Sequence, residues 1–326
     1  MKSTWLTVCV VAAAAFLPLT HAKPDEPGTA PAPVANPLLG KEPGEVRDDN
    51  GLKMKLVWCP PGIFTMENYE VIKEPAVEKE NQPNDDDAVD PKDEPAPQPG
   101  PKEKITPVKV FLTKGYWLGK YEVTQSEWKQ VMQTEPWKGQ KYTKVGDDFP
   151  ATYISWDDAM AFCRKLTEQE REVGRLPAGW EYTLPTEAQW ERACRARTET
   201  RFSYGDDESK LGHYGWFADN VMKADEPYAH RVGQKKANPW GLFDMHGNVV
   251  EWCRDIYTEK LPGGRDPEVM PDEKPTDGSA RVFRGGSWGH RARFCRSAYR
   301  DRYTPGLSER LNLGFRVAVS SVQPVK

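Results

Sequence analysis

One fifteen-residue stretch, residues 238–252, brings together oxygen ligands, glycines and aromatic side chains. Asp244, the backbone carbonyls of Gly247 and Val249, and Glu251 supply hard oxygen donors of the kind that Ca²⁺ prefers. Because the stretch follows no helical or strand period, we expect a loop that is held in place by burial of its aromatic rings. The residues alone leave two interpretations open: a calcium site, or a buried turn whose acids cap backbone amides.

The first 22 residues have the pattern of a secretory signal peptide. Lys2 precedes an apolar run from Trp5 to Leu19, and small residues lead to a predicted cut after Ala22. An uncleaved segment that anchors the protein to a membrane is the alternative. No apolar stretch of membrane-spanning length follows. We therefore expect an exported protein, periplasmic or extracellular, whose mature form does not span a membrane.

Export changes how the cysteines are interpreted, because five remain after the predicted cleavage: Cys59, Cys163, Cys194, Cys253 and Cys295. In an oxidising compartment, one or two disulfides and a leftover thiol are the simplest outcome. The chain has no CxxC pair, which argues against a structural zinc site.

Charge and composition divide the rest of the chain. The net charge of −4 argues against nucleic acid as a partner. Residues 23–45 are rich in Pro and Ala and predict a linker. Residues 67–104 contain twelve acidic and five basic side chains and seven prolines, which predicts a solvated acidic insert between two strand-like segments, residues 51–65 and 108–121.

Three capping-box sequences predict helix starts in the middle of the chain. They begin at Thr124, Ser155 and Thr186, and the predicted helices run to about residues 132, 171 and 195. Short strand candidates follow at residues 281–284 and 314–319. The pattern predicts an α+β domain with few helices, short strands and much ordered irregular structure.

Seven segments then resemble, in order, the formylglycine-generating enzyme family, also called the sulfatase-modifying factor family. The resemblance covers residues 46–320, leaves 321–326 as a tail, and implies a single domain with a variant of the C-type lectin fold. The matching segments are residues 54–66, 119–125, 154–159, 184–191, 238–252, 284–288 and 313–316.

The resemblance implies that the oxygen-rich loop binds calcium through Asp244, Gly247, Val249 and Glu251. It also implies a second calcium site, which would begin at Asn220 and Val221. Ser287 and Asn312, with Trp288, match positions that line the family's substrate groove, and His290 matches another position there.

The family's enzymes oxidise a peptidyl cysteine to formylglycine at a copper ion held by two cysteines, a ligand pair that suits Cu(I). Here the segment after Ser287 contains one cysteine, Cys295, and Gly289 lies near the place of the first. Ser287, His290 and Cys295 are therefore the candidate catalytic residues. The alternative for Cys295 is a disulfide with Cys194 or Cys253.

Two functions remain open on this basis. One is a calcium-stabilised binding module, or a divergent enzyme without copper, that recognises a peptide, a glycan or a partner protein at the groove. The other is an active copper-dependent oxidase. The arginines between residues 291 and 302 would favour an anionic ligand, unless they pair with acids of the fold, as we expect for Arg316.

Overall fold

The computed structural model describes residues 38–71, 103–270 and 279–322. The predicted signal peptide, residues 23–37 of the linker, residues 72–102 of the acidic segment and residues 323–326 of the tail lie outside this range. Within the described ranges, no helix has the length and apolar character that crossing a membrane requires.

The described residues form short strands and four α-helices, joined by long ordered loops. In chain order the elements are β1 (Val46–Arg47), β2 (Leu56–Cys59), β3 (Gly62–Val71), β4 (Glu103–Leu112), β5 (Tyr116–Gly119), α1 (Gln125–Met132), α2 (Trp156–Glu172), β6 (Trp180–Thr183), α3 (Glu187–Arg195), α4 (Ala218–Lys223), β7 (Val250–Ile256), β8 (Gly264–Arg265), β9 (Arg281–Arg284), β10 (Arg300–Tyr303), β11 (Leu313–Gly314) and β12 (Ala318–Ser321).

The strands form three sheets, which confirms the predicted α+β class. The largest has the order β1-β2-β5-β12-β6 and is antiparallel throughout. A second has the order β10-β9-β7-β11, in which β11 runs parallel to β7. The third is the β3–β4 hairpin with β8 on its edge.

All three predicted helix starts are confirmed. Thr124, Ser155 and Thr186 each accept a hydrogen bond from the third helical amide, and the side chain of that third residue returns to the cap. These reciprocal bonds satisfy amide groups that a helix leaves open at its start. In α2, Phe162 and Leu166 are buried, as their spacing predicts.

Two groups of strands differ from the prediction. β3 and β4 pair over ten residues each, so Glu67–Val71 and Glu103–Lys104 belong to the hairpin rather than to the acidic insert. The single strand predicted at residues 314–319 is two strands, β11 and β12. They are separated at residues 315–317, where Arg316 turns into the interior to reach a carboxylate. A buried ion pair overrides β propensity at this position.

Aromatic rings join the helices to this irregular segment. Trp128 of α1 stacks on Phe162 of α2 with ring centroids 5.7 Å apart. Phe315 packs edge-on against both rings, at 6.0 and 5.4 Å. The edge-to-face contacts fix the position of Phe315. They therefore also fix the backbone of Arg316, which positions the site described below.

Candidate cation site and groove

The oxygen-rich loop lies against the segment that follows β5. The amide of Phe243 donates to the carbonyl of Lys120 over 3.0 Å, and the rings of Tyr121 and Phe243 pack at 5.2 Å. Asp244 and Asn248 both have left-handed backbone, with φ of 59° and 66°. Non-glycine residues are uncommon in this region and cluster at functional sites.

Glu251 of β7 forms a buried ion pair with Arg316, as we expected for this arginine. The guanidinium contacts both carboxylate oxygens at 2.6 Å, and the indole Nε1 of Trp190 donates to Oε2 over 2.7 Å. The side chains of the pair are completely buried. Both oxygens of this predicted calcium ligand are therefore already bound by protein donors.

Asp244 and Glu122 contrast with that pair, because each keeps one oxygen without a partner. Asp244 Oδ2 accepts from the amide of Gly233 at 2.7 Å, and Glu122 Oε1 accepts from Asn248 Nδ2 at 3.1 Å. Asp244 Oδ1 and Glu122 Oε2 are buried and unpartnered. Burial raises the pKa of Asp244 to about 6, against the opposing effect of the Gly233 amide. Burial and then the charge of Asp244 raise the pKa of Glu122 well above its ordinary value.

Glu122 is a site residue that the sequence analysis did not select. It lies within residues 119–125, one of the segments that carried the family resemblance, but its position gave no sign of contact with the loop. Asp244 follows Glu122 by 122 positions, and the spacing of residues in a sequence cannot reveal a neighbour at that distance.

The loop packs tightly against the backbone of Trp216 at Gly247. Gly247 lies so near the carbonyl of Trp216 that an added Cβ would be only 2.2 Å from its oxygen. Glycine is therefore required at this position, which lies next to Asn248. In the part of the chain that the structure describes, no group of three or more His, Cys, Asp or Glu side chains could hold a metal ion. A cation here would need backbone oxygens as well as Asp244 and Glu122, a donor set that Ca²⁺ accepts.

The residues of the predicted second calcium site have structural roles. Asn220 Oδ1 accepts from the amide of Phe217 at 2.9 Å, and its Nδ2 donates to the carbonyl of Gly215 at 2.9 Å. These bonds fix the start of α4. Val221 is buried in an apolar cluster with Val249 and Trp288. The side-chain amide of Asn220 thus holds the backbone together.

The structure brings the predicted groove residues Ser287 and Asn312 together. Asn312 Nδ2 donates to Ser287 Oγ over 2.9 Å, and the amide of Gly289 donates to the same oxygen over 3.3 Å. Ser287 is completely buried. Its hydroxyl therefore accepts two hydrogen bonds that fix the turn after β9.

Trp288 and His290 flank this turn. Trp288 packs against the exposed ring of Tyr142, with centroids 6.2 Å apart, and its Nε1 is buried without a partner. His290 packs against Phe294 and Tyr299. Burial lowers the pKa of His290 to about 4, with a smaller contribution from Arg310. His290 is therefore neutral near pH 7, and its Nδ1 is also buried and unpartnered.

A shallow pocket borders Tyr142. Its lining combines aromatic, hydroxyl, amide and aliphatic groups with one lysine, Lys144. Two of the lining residues, Ala229 and Leu311, also pack in the apolar cluster that contains Trp288. The pocket therefore adjoins the apolar cluster that contains Trp288.

The five described cysteines are buried free thiols, so the predicted disulfide of Cys295 with Cys194 or Cys253 is not formed. Cys295 packs with Phe202, Leu211 and Phe217, in a different apolar cluster from Cys194 and Cys253. Burial raises the pKa of the Cys295 thiol far above its ordinary value. This is the opposite of what a reactive thiolate requires.

His246 is a second buried residue whose contacts the sequence did not predict. Its Nδ1 lies 2.8 Å from the carbonyl of Cys295, and its Nε2 accepts from the amide of Ser203 at 3.1 Å. The Cys194 sulfur lies 3.9 Å from Nε2. The two backbone contacts define a neutral ring with the proton on Nδ1, and burial lowers the His246 pKa to about 4. His246 therefore ties the oxygen-rich loop to the segment of Cys295.

Not all of the predicted arginine cluster is available to a ligand. Arg300 makes two 2.7 Å contacts to Glu187. Arg296 donates to the carbonyl of Arg293 over 2.8 Å and lies over the ring of Tyr69. Arg302 is exposed and lies over Tyr257. The fold thus uses Arg300 for charge compensation, the alternative that the sequence analysis left open.

The three sheets, the capped helices and the long ordered loops define an α+β domain of the formylglycine-generating-enzyme type, a variant of the C-type lectin fold. The structure of PvdO from Pseudomonas aeruginosa matches it with a TM-score of 0.62 at 22% identity, over 86% of this chain and 100% of PvdO. Residues 45–321 match the family described as sulfatase-modifying factor enzyme 1-like domain. The chain belongs to that family.

Individual relatives match part of the chain. The formylglycine-generating enzyme of Bos taurus is 30% identical over 185 residues, which are 52% of this chain and 44% of the enzyme. The chaperone protein LppX of Paenibacillus barcinonensis is 26% identical over 215 residues, covering 53% of this chain and 69% of LppX. The chain thus spans less than half the length of the bovine enzyme. These two relatives carry the names of a formylglycine-generating enzyme and of a chaperone.

Proposed function

We propose that this protein is an exported, calcium-stabilised binding module that recognises a peptide segment of a partner at the groove of Ser287, Trp288 and Asn312. The observation that carries the proposal is the state of Cys295. It is the single cysteine of the segment after Ser287, and its thiol is completely buried. A two-thiolate Cu(I) site needs a second sulfur, and residue 289 is a glycine.

The groove has the chemistry of a recognition surface. Tyr142 is 53% exposed, has left-handed backbone with φ of 55°, and packs against Trp288. An exposed aromatic ring that packs on a largely buried indole offers a flat apolar surface for a side chain of a bound peptide. The chaperone name of LppX supports a protein partner, whereas a glycan is the alternative occupant.

Copper binding is the first test of this proposal against the oxidase function. The reduced full chain would be titrated with Cu(I) beside the variant Cys295→Ser, and both would be incubated with a cysteine-containing sulfatase peptide under O₂. We expect no one-to-one copper complex that depends on Cys295 and no formylglycine in the peptide. Tight one-to-one binding that Cys295→Ser abolishes, with oxidation of the peptide, would establish the oxidase instead.

Peptide binding is the second test. Ligands would be selected from a random peptide library on the wild-type protein, and their affinities measured for Tyr142→Ala and for Phe111→Ala, a matched exposed ring on the β3–β4 hairpin. We expect Tyr142→Ala to weaken binding at least tenfold and Phe111→Ala to leave it unchanged. Equal loss in both variants, or selection of no peptide, would contradict a peptide groove.

A further inference from the structure

We propose that the peptide bound beside Tyr142 is acidic, and that Lys144 selects it by pairing with a carboxylate of the peptide. This inference rests on the proposed peptide recognition and names the chemical class of the peptide. Lys144 lines the shallow pocket that borders Tyr142, and no acidic side chain of the described residues lines it. The pocket therefore presents a positive charge next to an exposed aromatic ring.

The loop that carries Lys144 is held in place by α1. The side-chain amide of Gln125 donates to the carbonyl of Lys144 over 2.8 Å and accepts from the amide of Gly146 at 3.0 Å. Gln125 is buried. On the other side, Thr143 Oγ1 donates to the carbonyl of Trp137 over 3.1 Å. Because these bonds fix the backbone around Lys144, a ligand does not have to order the loop before it binds.

The ammonium group of Lys144 has no carboxylate at ion-pair distance within the described ranges. Its Nζ lies 4.6 Å from the ring centre of Tyr228, a contact that orients the side chain and leaves its charge in place. The carboxylate beside that ring belongs to Glu226. Tyr228 donates to one of its oxygens over 2.9 Å, and His230 Nε2 lies 3.0 Å from the other. Both oxygens of Glu226 thus already have partners other than Lys144.

Charges next to the pocket come in opposite pairs. Arg231 contacts Asp148 at 3.1 Å. Lys141 and Asp147, on either side of the loop, are both exposed and have opposite signs. Lys144 is the cation in the lining of the pocket itself. A single ammonium group suits one carboxylate, whereas a phosphate is more often held by the planar fork of an arginine. The charges therefore favour a peptide that carries Asp or Glu.

The positions of Tyr142 and Lys144 predict how such a peptide is patterned. Two positions in a chain span at most about 7 Å between Cα atoms, and an extended peptide covers that distance with about two residues. The ring of Tyr142 matches an apolar side chain, and Lys144 matches a carboxylate. The ligand should therefore carry an aromatic or aliphatic residue about two positions from an acidic one.

The peptides selected from the random library on the wild-type chain give the first result, and we expect this pattern to be enriched among them. For one selected peptide, calorimetry would then compare the wild type with Lys144→Met and with Lys165→Met. Lys165 is an exposed lysine of α2 outside the pocket lining, so it controls for the loss of one positive charge. We expect Lys144→Met to weaken binding by about fivefold, the upper range for an exposed ion pair, and Lys165→Met to have no effect.

Charge reversal on both sides separates recognition from folding. Lys144→Glu should lose the acidic peptide, and it should bind the same peptide with Lys in place of its acid better than the wild type does. A variant that had merely misfolded would bind neither peptide. Salt gives a further measurement. At about 1 M salt, where the screening length is about 3 Å, the wild type should bind the acidic peptide no better than Lys144→Met does.

The contrary results for the inference and for the proposed function are distinct. If the selected peptides lack acidic residues, or if Lys144→Met binds an acidic peptide as tightly as the wild type does, the chain binds peptides and the inference fails. The inference also fails if Lys144→Glu does not prefer the peptide with reversed charge. If no peptide is selected, or if Tyr142→Ala does not weaken binding, the proposed peptide groove itself fails and the inference fails with it.

Discussion

Two buried groups of carboxylates in this domain have opposite environments. On α3, Glu187 receives both hydrogen bonds from Arg300, and Glu191 contacts Arg195 and Arg284. All four oxygens thus have guanidinium partners within the fold. At Glu122 and Asp244, one oxygen of each acid has no partner. The comparison separates carboxylates that are paired within the fold from carboxylates that each keep one buried oxygen without a partner.

The largest expected effect is on the free energy of unfolding, when an ion pair of α3 is broken. Glu191→Gln would leave the guanidinium groups of Arg195 and Arg284 buried with one charge partner fewer. Breaking a buried ion pair in this way costs about 3–5 kcal/mol. Urea unfolding should show this loss with and without calcium. A cost below about 1 kcal/mol would mean that the ion pairs of α3 are not structural.

The pH dependence of stability sharpens the comparison at Asp255, which accepts hydrogen bonds from the amides of Glu187 and Val269. Burial and then the charge of Glu187 raise the Asp255 pKa from 3.8 to about 7. A raised pKa means that the folded state holds the proton more tightly. The stabilising contribution is therefore complete below pH 4 and is lost as pH rises through about 7.

Relative to Asp255→Asn, the wild type should lose stability over that interval by at most about 1.4 kcal/mol per pH unit, the value for one proton. Urea unfolding at several pH values measures the difference. Asp244, His246 and His290 also titrate below pH 7, but they are common to both proteins. Parallel pH profiles for the two proteins would contradict a raised pKa of Asp255 in the folded state.

A smaller effect on stability is expected at the hydrogen bond between Trp190 of α3 and Glu251. Trp190→Phe removes the indole N–H that donates to Glu251 and keeps most of the ring. A hydrogen bond to a charged group contributes about 1.5–3 kcal/mol. We expect a loss of stability in this range by urea unfolding. Trp240→Phe, at another buried tryptophan of the same apolar cluster, controls for the change in ring size.

The smallest effect is expected at the groove. Ser287→Ala removes the acceptor of the Asn312 side chain, a neutral hydrogen bond that contributes about 0.5–1.5 kcal/mol. Stability should fall by this amount, and calcium affinity should stay at the wild-type value. Loss of calcium binding in this variant would show that the groove and the cation site are coupled, and would contradict their independence.

Local features of the fold were predictable from the sequence, because their causes lie close together in the chain. The capping boxes at Thr124, Ser155 and Thr186 are four-residue signals, and each one marked a true helix start. The family resemblance then supplied the long-range arrangement. It brought together Ser287 and Asn312, which spacing could not have joined.

The remaining features depend on contacts between distant residues. In the sequence, Glu251 and Asp244 are equivalent candidates for a metal ligand. Only the structure shows that Arg316 donates to both carboxylate oxygens of Glu251. The role of Glu122 depends on a junction between residues 119–122 and 243–244. The predicted disulfide of Cys295 is not formed, because positions in the sequence do not show which thiols the apolar clusters keep apart.

The most direct test of the account is the effect of calcium on the free energy of unfolding of the wild type, Asp244→Asn and Glu191→Gln. At a hundred times its dissociation constant, calcium should stabilise the wild type by about 2.7 kcal/mol. Glu191→Gln should gain the same amount from a lower starting stability, and Asp244→Asn should gain none. Equal gains in all three proteins, or none in the wild type, would contradict a calcium site at the uncompensated carboxylates.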